Sequence, residues 1–299
     1  MSIRRWITEN HRYRQLLYLA FFVLIAVYWL VYSRQISPKL LYLLALGVVA
    51  AIPLKGWLRD WRPFLLLPLS YGAMQGIGSV LSEHVNVINV IQWEKSLFGG
   101  IPTIQLQERF HANGSYAWYD AVFMSFYLTH YFFPYLVAIF LYFKRRALYH
   151  LYTDGFIVLA VAGFFTYVLF PAMPPWMASE QGFLPTMPHL LVEVAQQALH
   201  VSFPSLYQTL GANQVAAMPS MHAAWPLFIA LCLTLFFRWK GLAWFIIPVM
   251  VSLAIVYFGE HYIIDVVIGY LYALAAFGIA VYFRPKKIES PSHVPPTLS

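Results

Sequence analysis

Charged residues are scarce in this chain, and their scarcity excludes an ordinary water-soluble domain. Only 10% of the 299 residues are Asp, Glu, Lys or Arg, whereas a typical soluble domain has about 25%. Hydrophobic residues make up 61% of the chain and aromatic residues 18%. Because lipid can solvate so apolar a surface, the composition predicts an all-α, polytopic integral membrane protein.

Cysteine and acidic residues are also rare. The single cysteine, Cys232, lies in an apolar run, so no intrachain disulfide can form. The chain has 19 Lys and Arg residues against 12 Asp and Glu, a net charge of +7. In a membrane protein this excess favours basic loops that face anionic lipid headgroups, and no nucleic-acid partner is predicted.

Apolar runs long enough to cross a bilayer predict about eight spans. Seven spans are the alternative, because two of the runs are short or polar at one end. The first run follows a basic segment and lacks a small-residue cleavage pattern, so we interpret it as a span and not as a signal peptide. The predicted spans are residues 16–32, 38–54, 63–81, 119–143, 153–171, 222–237, 242–259 and 261–283.

The distribution of Lys and Arg predicts how these spans are oriented. With both termini in the cytoplasm, fifteen basic residues lie inside and only four lie outside: Arg34, Lys39, Lys95 and Arg109. The two long connections, about 82–118 and 172–221, are then extracytoplasmic or lumenal. We expect a multi-pass protein of the plasma membrane.

The predicted organisation has five parts. They are a basic cytoplasmic N-terminus (1–15), a membrane hairpin with the third span (16–81), an outer interfacial loop (82–118), a membrane core with the candidate site (119–283) and a disordered cytoplasmic tail (284–299). A short interfacial helix is predicted around Trp93 in the outer loop. The prolines from Pro171 onward predict that the fifth span ends in an extended loop, with Trp176 at headgroup depth.

The stretch MPSMHAAW places a histidine at the start of an apolar helix. Ser220 is the predicted N-cap and His222 lies in the first turn. The backbone N–H groups from Met221 onward have no helical acceptor, and with the positive end of the helix dipole they favour a bound phosphate. The alternative is a simple cap followed by an interfacial histidine.

The stretch GEHYIIDVVIGY contains a second histidine close to an acid. His261 and Asp265 are four residues apart, a spacing that stacks two side chains on one face of a helix. An aspartate inside an apolar span is costly without a partner. A carboxylate bonded to one ring nitrogen fixes the tautomer and makes the other nitrogen more nucleophilic. The alternative is a purely structural His–Asp pair.

The predicted topology brings both motifs to the same membrane face, at the outer ends of the sixth and eighth spans. A nucleophile, an acid and an anion site on one face predict phosphoryl transfer on a lipid substrate. A transporter or scramblase that uses the His–Asp pair is a minor alternative, and no inverted repeat supports it.

The two motifs resemble the second and third signatures, PSxH and HxxxD, of the type 2 phosphatidic acid phosphatase superfamily. EKSLFGGIP, LFPAMPPW, AMPSMHAAW and EHYIIDVVIG are similar to the branch that contains inositol phosphorylceramide synthase. The resemblance covers about residues 55–283 and implies a six-helix phosphatase-type core. It implies that His261 attacks phosphorus to form a phosphohistidine, oriented by Asp265, while His222 protonates the leaving oxygen and Ser220 contacts the phosphate.

The resemblance also implies a choice between two reactions. Its branch favours transfer of a phosphoryl-containing headgroup from a lipid donor to an alcohol or polyol acceptor, such as inositol or a sugar. With water as acceptor, the same chemistry would make a phosphatase that acts on a phosphatidate- or polyprenyl-diphosphate-like lipid. No metal ion or other cofactor is implied, and no residue cluster has a metal-ligand spacing.

Two departures from the family concern phosphate binding. Ala254 and Ile255 stand where the third signature has Ser-Arg, and Met221 replaces the usual glycine of the second. The phosphate therefore lacks its usual arginine. Lys95 and Arg109 in the outer loop are the expected substitutes, with Lys95 preferred because it lies in EKSLFGG.

A literal match to the first signature, KGWLRDWRP, is assigned to topology and headgroup anchoring. The positive-inside rule places Lys55 and Arg62 on the cytoplasmic face, about a bilayer thickness from His261.

Three more residues are predicted to line a substrate pocket. His130 and Tyr127 lie in the fourth span and Trp176 in the outer loop. A packing role is the alternative for His130, because aromatic residues surround it. The remaining histidines are expected to have no special role: His84, His111, His150, His189, His200 and His293.

Overall fold

The computed structural model describes residues 85–111, 114–199 and 215–283, together with residues 23, 27, 48, 52, 56–62 and 64. The predicted tails, 1–15 and 284–299, lie outside the described residues, as do nearly all of the first three predicted spans. Within the described ranges the chain is helical, with two isolated β-bridges and no strand.

Nine α-helices and one 3-10 helix follow one another in these ranges. Their bounds are α1 (Ile88–Phe98), α2 (Pro102–Phe110), α3 (Trp118–Lys144), α4 (Arg146–Leu169), α5 (Pro175–Glu180), α6 (Leu190–Leu199), α7 (Met221–Phe237), the 3-10 helix (Arg238–Phe245), α8 (Ile246–Tyr257) and α9 (Ile263–Tyr282).

Four helical segments of the described chain are long and apolar enough to cross a membrane: Trp118–Lys144, Arg146–Leu169, Met221–Tyr257 and Ile263–Tyr282. The third has 37 residues, more than one crossing needs, and the chain folds back within it. Arg238 adopts a positive φ of 56° at the bend, and a Cβ on Gly241 would lie 2.6 Å from the Cα of Thr234. The segment therefore forms two packed helices, α7 and α8, where the sequence predicts runs 222–237 and 242–259.

Helix α7 lies at the centre of the bundle. It packs against α3, α4, α8 and α9, and its sequence is apolar on every side, as expected for a helix surrounded by others. The Phe228 ring packs against the rings of Tyr152 and Phe156 on α4. This close approach requires Gly155, where a Cβ would lie 2.4 Å from the Phe228 ring.

The two long outer loops pack on each other and form a cap at the N-terminal end of α9. The Asn86 N–H donates to the Pro171 carbonyl (2.8 Å), and the Ala172 N–H donates to the Val215 carbonyl (2.8 Å). Side chains of α1 and of segments 171–177 and 215–218 share one apolar cluster with Tyr262. The cap thus connects distant parts of the chain to the residue before α9.

The proline-rich segment differs from its prediction. Helix α4 ends at Leu169, just before Pro171, as proline chemistry requires. The expected extended loop is wrong, because Pro175 begins the short helix α5, a position at which proline is favourable. Trp176 is buried in the cap cluster, and its backbone N–H donates to the Gly259 carbonyl (3.0 Å).

Residues 56–62 of the KGWLRDWRP segment lie at the opposite end of the bundle, and Lys55 is outside the described residues. The Arg146 guanidinium donates to the Asp60 carboxylate (3.1 Å), and the Tyr149 hydroxyl donates to the Asp60 carbonyl (2.9 Å). At the other end of α4, the Tyr167 hydroxyl donates to the Pro219 carbonyl (2.8 Å) beside the PSMH motif. Arg146 and Tyr167 are about 30 Å apart along the helix, at about 1.5 Å per residue.

Candidate active site

The two motif histidines face each other across the interface between α7 and the turn that precedes α9. Nδ1 of His222 lies 3.0 Å from Nε2 of His261. His222 is in the first turn of α7, where it is partly buried, and His261 is only 4% exposed. The topology predicts these two histidines on the same membrane face, and a direct hydrogen bond joins their rings across 39 residues of sequence.

The protonation pattern of this pair follows from its outer partner. Nδ1 of His261 lies 2.9 Å from the carbonyl oxygen of Ala217. Because a carbonyl can only accept, this nitrogen carries the proton and Nε2 keeps a lone pair. Nδ1–H of His222 then donates to that lone pair. The geometry therefore makes Nε2 the unprotonated nitrogen of the His261 ring.

Asp265 reaches His261 differently from the prediction. Its Oδ2 lies 3.6 Å from Nδ1 of His261, which is an ion-pair distance and too long for a hydrogen bond. The same oxygen accepts from the Tyr262 N–H (2.8 Å). The prediction that His261 and Asp265 stack on one helix is wrong, because α9 begins only at Ile263 and Asp265 caps its first turn.

Ser220 and Met221 connect this site to the helices around it. The Ser220 hydroxyl accepts from the Ala223 N–H (3.3 Å), so Ser220 caps α7 as its position in the sequence predicts. Its own N–H donates to the Asp265 carbonyl (3.0 Å). The Met221 side chain packs towards Gly163 of α4. The amides of Met221 and His222 lie in the first turn, where no intrahelical acceptor exists.

Gly269 allows the start of α7 to lie directly on α9. A Cβ at this position would stand 2.4 Å from the carbonyl oxygen of Ser220. No side chain fits in that space. This glycine, which ends the family-like stretch EHYIIDVVIG, therefore sets the distance between the Ser220 cap and the Asp265 helix.

Aromatic rings enclose His222. The Tyr127 ring stacks on it at 5.5 Å between centroids, and Tyr127 is 1% exposed, so Tyr127 orients His222 and offers little open surface. The His130 ring is closer, at 4.3 Å, and stacks in turn on Trp225 at 4.9 Å. Nδ1 of His130 is buried with no hydrogen-bond partner. In the described ranges, no group of three His, Cys, Asp or Glu residues could hold a metal ion.

Glu94 is a site residue that the sequence-based prediction missed. Its side chain is fully buried, and its two oxygens accept from the Ile263 and Ile264 N–H groups (2.9 and 3.0 Å) at the start of α9. Burial raises the pKa of this carboxyl, and the two backbone hydrogen bonds lower it in part. The EKSLFGG stretch thus contributes an acid that holds the helix after His261. Nothing in the sequence pattern indicates this role, because Glu94 is a single acidic residue in a predicted interfacial helix.

Lys95 does not contact the histidine pair. Its side chain is exposed, and no hydrogen bond or ion pair joins it to either histidine in the described part of the chain. Arg109 is also exposed and lies 5.9 Å from the ring of its neighbour Phe110. Neither residue is brought to His261 by the contacts of this structure.

A second histidine–carboxylate pair lies next to the first. Nε2 of His189 is 2.9 Å from the Glu260 carboxylate, one residue before His261. The Trp176 ring stacks on His189 at 4.2 Å, and its indole Nε1 is buried without a hydrogen-bond partner. His189 is therefore not the uninvolved loop histidine that the sequence predicts. Only the folded outer loops bring these three residues together.

The chain is similar to a known protein family and to a relative of known name. Residues 89–279 match the PAP2 superfamily. The chain is 30% identical over 253 residues to the phosphoinositol dihydroceramide synthase of Bacteroides thetaiotaomicron, a match that covers 81% of this chain and 82% of the relative. No solved structure matches the chain.

The matched region contains both histidine motifs, the Glu94 helix and the four candidate membrane helices up to Ile279. The apolar helices make this an integral membrane protein, and the matches make it an enzyme that acts on lipid phosphate. The chain belongs to the PAP2 superfamily, in a part of it that resembles inositol phosphorylceramide synthases.

Proposed function

We propose that this enzyme transfers a phosphorylated polyol headgroup from a lipid donor to an alcohol acceptor through a phosphohistidine at His261. One observation carries the proposal: Nε2 of His261 holds a lone pair beside Nδ1–H of His222, while Nδ1 of His261 is fixed on the Ala217 carbonyl. This arrangement presents a nucleophile to the phosphorus and an acid to an oxygen of the same phosphate group.

The first step forms one bond and breaks one. Nε2 of His261 attacks the lipid phosphorus, the P–O bond to the donor lipid breaks, and His222 gives its proton to the departing oxygen. His261 becomes positively charged as the N–P bond forms. The Asp265 carboxylate at 3.6 Å stabilises that charge.

The second step reverses the roles. The acceptor hydroxyl gives its proton to His222, its oxygen bonds to phosphorus, and the N–P bond to His261 breaks. Water in place of the alcohol would release the headgroup phosphate and make the enzyme a phosphatase. The mechanism uses only side chains and backbone amides of this chain, and it needs no metal ion.

The start of α7 supports the phosphate. The first-turn amides of Met221 and His222 and the positive end of the α7 dipole favour an anion at this point. Ser220 keeps the turn in place because its hydroxyl caps the helix and its N–H holds the Asp265 carbonyl. The role of Ser220 in this proposal is to shape the anion site.

Similarity to a synthase favours transfer over hydrolysis. The name of the Bacteroides relative states that its product contains a phosphoinositol group and a dihydroceramide. For the present enzyme we propose the same classes of substrate, namely an inositol-type headgroup and a sphingolipid-like alcohol. The buried Trp176, with its unpartnered indole N–H, is proposed to line the headgroup side of the pocket together with Glu260 and His189.

The proposal is tested with purified full-length protein in detergent. Phosphatidylinositol is supplied with or without dihydroceramide, and both new phospholipid and released water-soluble phosphate are measured. We expect acceptor-dependent formation of a new lipid that persists in the presence of a chelator. The His261→Ala variant is expected to lose at least about 10³-fold in kcat/KM, because removal of a covalent nucleophile abolishes the pathway.

The matched control is His150→Ala, at the other end of α4 from the site. It is expected to keep wild-type turnover. Release of water-soluble phosphate without new lipid would replace transfer by hydrolysis. Full activity of His261→Ala, or loss of turnover on chelation, would contradict the mechanism.

A further inference from the structure

Within the described ranges, no basic side chain contacts the site proposed for the phosphate. Ala254 and Ile255 stand where the family has Ser-Arg, and both are fully buried in α8. In the part of the chain that the structure describes, no ion pair or hydrogen bond joins a Lys or Arg side chain to His222 or His261. In the proposed site, the phosphate charge would then be balanced only by the first-turn amides of α7 and the His222 side chain.

One further side chain lies beside the two histidines and is unused by the mechanism. The ring centroid of His130 is 4.3 Å from that of His222, which is itself hydrogen-bonded to His261. His130 is 6% exposed, and its Nδ1 is fully buried without a hydrogen-bond partner. A polar atom buried in this way costs free energy unless a ligand satisfies it.

Burial and the two neighbouring histidines keep His130 neutral before an anion binds, and one of its contacts would stabilise a charge once the anion is present. Its ring lies parallel to the Trp225 ring, at 4.9 Å and 3°. The face of an indole attracts a positive charge, and that attraction is strongest away from water. The ionisable groups that face His130 are Tyr127 and Tyr131 on its own helix, His222 on α7 and His261 before α9; Glu260 acts at one remove, through Tyr131. No carboxylate pairs directly with His130 in the described chain.

From this geometry we infer that His130 is a third phosphate-binding histidine, which donates to a phosphate oxygen and carries the positive charge that the missing arginine would supply. The inference deepens the proposed function and rests on it for the identity of the anion. His130 takes up a proton when the phosphate binds, and the Trp225 face stabilises the resulting imidazolium. His130 thereby touches the substrate directly, in a place that neither signature motif assigns.

The test measures anion binding separately from turnover. Orthovanadate is the phosphate analogue, and its dissociation constant is obtained from the concentration-dependent rise in Tm of the purified full-length protein. His130→Phe keeps an aromatic ring against Trp225 but removes both nitrogens. We expect this variant to bind vanadate at least about 10-fold more weakly and to lose a similar factor in kcat/KM, the loss of one charge-assisted hydrogen bond.

Two variants complete the design. His150→Phe makes the same substitution at the far end of α4 and is expected to bind vanadate within two-fold of wild type. His130→Gln keeps a neutral donor and is expected to lie between wild type and His130→Phe. Between pH 6 and 8, vanadate binding should weaken more steeply in wild type than in either His130 variant, because only wild type must take up a proton there. The titration of vanadate itself is common to all and cancels.

The outcomes separate this inference from the proposed function. If His130→Phe binds vanadate within two-fold of wild type, or loses turnover without losing vanadate affinity, the inference is wrong. If His130→Phe does not yield a monodisperse protein, His130→Gln serves in its place. A His130→Gln variant with the vanadate affinity and pH dependence of wild type would equally overturn the inference. Weakened vanadate binding in a protein that transfers no headgroup would uphold His130 as an anion ligand and reject the transfer reaction.

Discussion

At the residue scale, each ring nitrogen of the proposed site is defined by the atom that it faces. His261 donates to a backbone carbonyl at 2.9 Å, and the Asp265 carboxylate stands at 3.6 Å. The carbonyl sets the tautomer, a task that the sequence pattern assigns to the aspartate. In the proposed mechanism, the aspartate supplies a negative charge beside the imidazolium of His261. Its effect on the rate should therefore be electrostatic.

The separate roles of the Ala217 carbonyl and the Asp265 carboxylate predict the behaviour of Asp265→Asn. The amide oxygen can still accept from the Tyr262 N–H, so Tm should stay close to that of wild type. The charge is lost, so kcat should fall by about 10²- to 10⁴-fold. Circular dichroism melts and steady-state transfer assays measure the two effects.

Asp265→Ala is the companion variant. It removes both the charge and the cap, so it should lose Tm as well as kcat, at a cost of about 1 kcal/mol for the cap. An Asn variant that turns over at the wild-type rate would show that Asp265 serves the helix alone.

At the element scale, the site depends on how the first turns of α7 and α9 are held. Glu94 of α1 accepts from two amides of α9, and Ser220 of α7 donates to the Asp265 carbonyl. Both contacts act on backbone, so they fix helix positions whatever side chains follow. Gly269 sets the closest approach between the two helices.

Two glycines of α9 give a matched test of this packing. Gly269→Ala places a methyl group 2.4 Å from the Ser220 carbonyl oxygen, so the helices must separate. We expect a loss of about 1–3 kcal/mol in stability and a fall of at least about 10-fold in kcat. Gly278→Ala adds the same methyl on the same helix, where nothing lies within 4 Å.

The Gly278 variant should be as stable as wild type, or slightly more stable, because alanine favours a helix over glycine. Thermal melts in detergent and transfer rates measure both variants. Equal rates for the two would mean that the approach of Ser220 to α9 does not limit catalysis.

At the scale of the whole molecule, the histidine site and the basic segments lie at opposite ends of the helices. Arg146 and Asp60 pair at one end of α4, and Tyr167 reaches the PSMH motif near the other. The positive-inside rule predicts that the basic end is cytoplasmic. The site would then face the extracytoplasmic or lumenal side, where the outer loops cover it.

Cysteine labelling in intact cells tests this orientation. Cys232 is buried, so Cys232→Ala gives a silent background to which one cysteine is added. Glu180→Cys, exposed on α5, should react with a membrane-impermeant maleimide from outside. Lys240→Cys, exposed on the 3-10 helix, should react only after permeabilisation. The reverse pattern would place the site in the cytoplasm.

The sequence alone determined the features that are local or statistical. Apolar runs predicted helices α3, α4, α7, α8 and α9 to within a few residues except at the start of α4, because a bilayer-length run permits little else. Ser220 and the PSMH and HxxxD patterns predicted the cap and the histidine pair. The same sequence motifs indicated the family, and the comparisons confirm it.

Only the tertiary structure decided what lies between distant segments. The carbonyl that holds His261, the Glu94 carboxylate under α9 and the stack of His130 on Trp225 join residues far apart in the chain. No periodicity encodes such contacts, since each depends on how loops fold back over the bundle. The sequence therefore predicted the candidate site residues, and the packing of the outer cap decided which atoms they face.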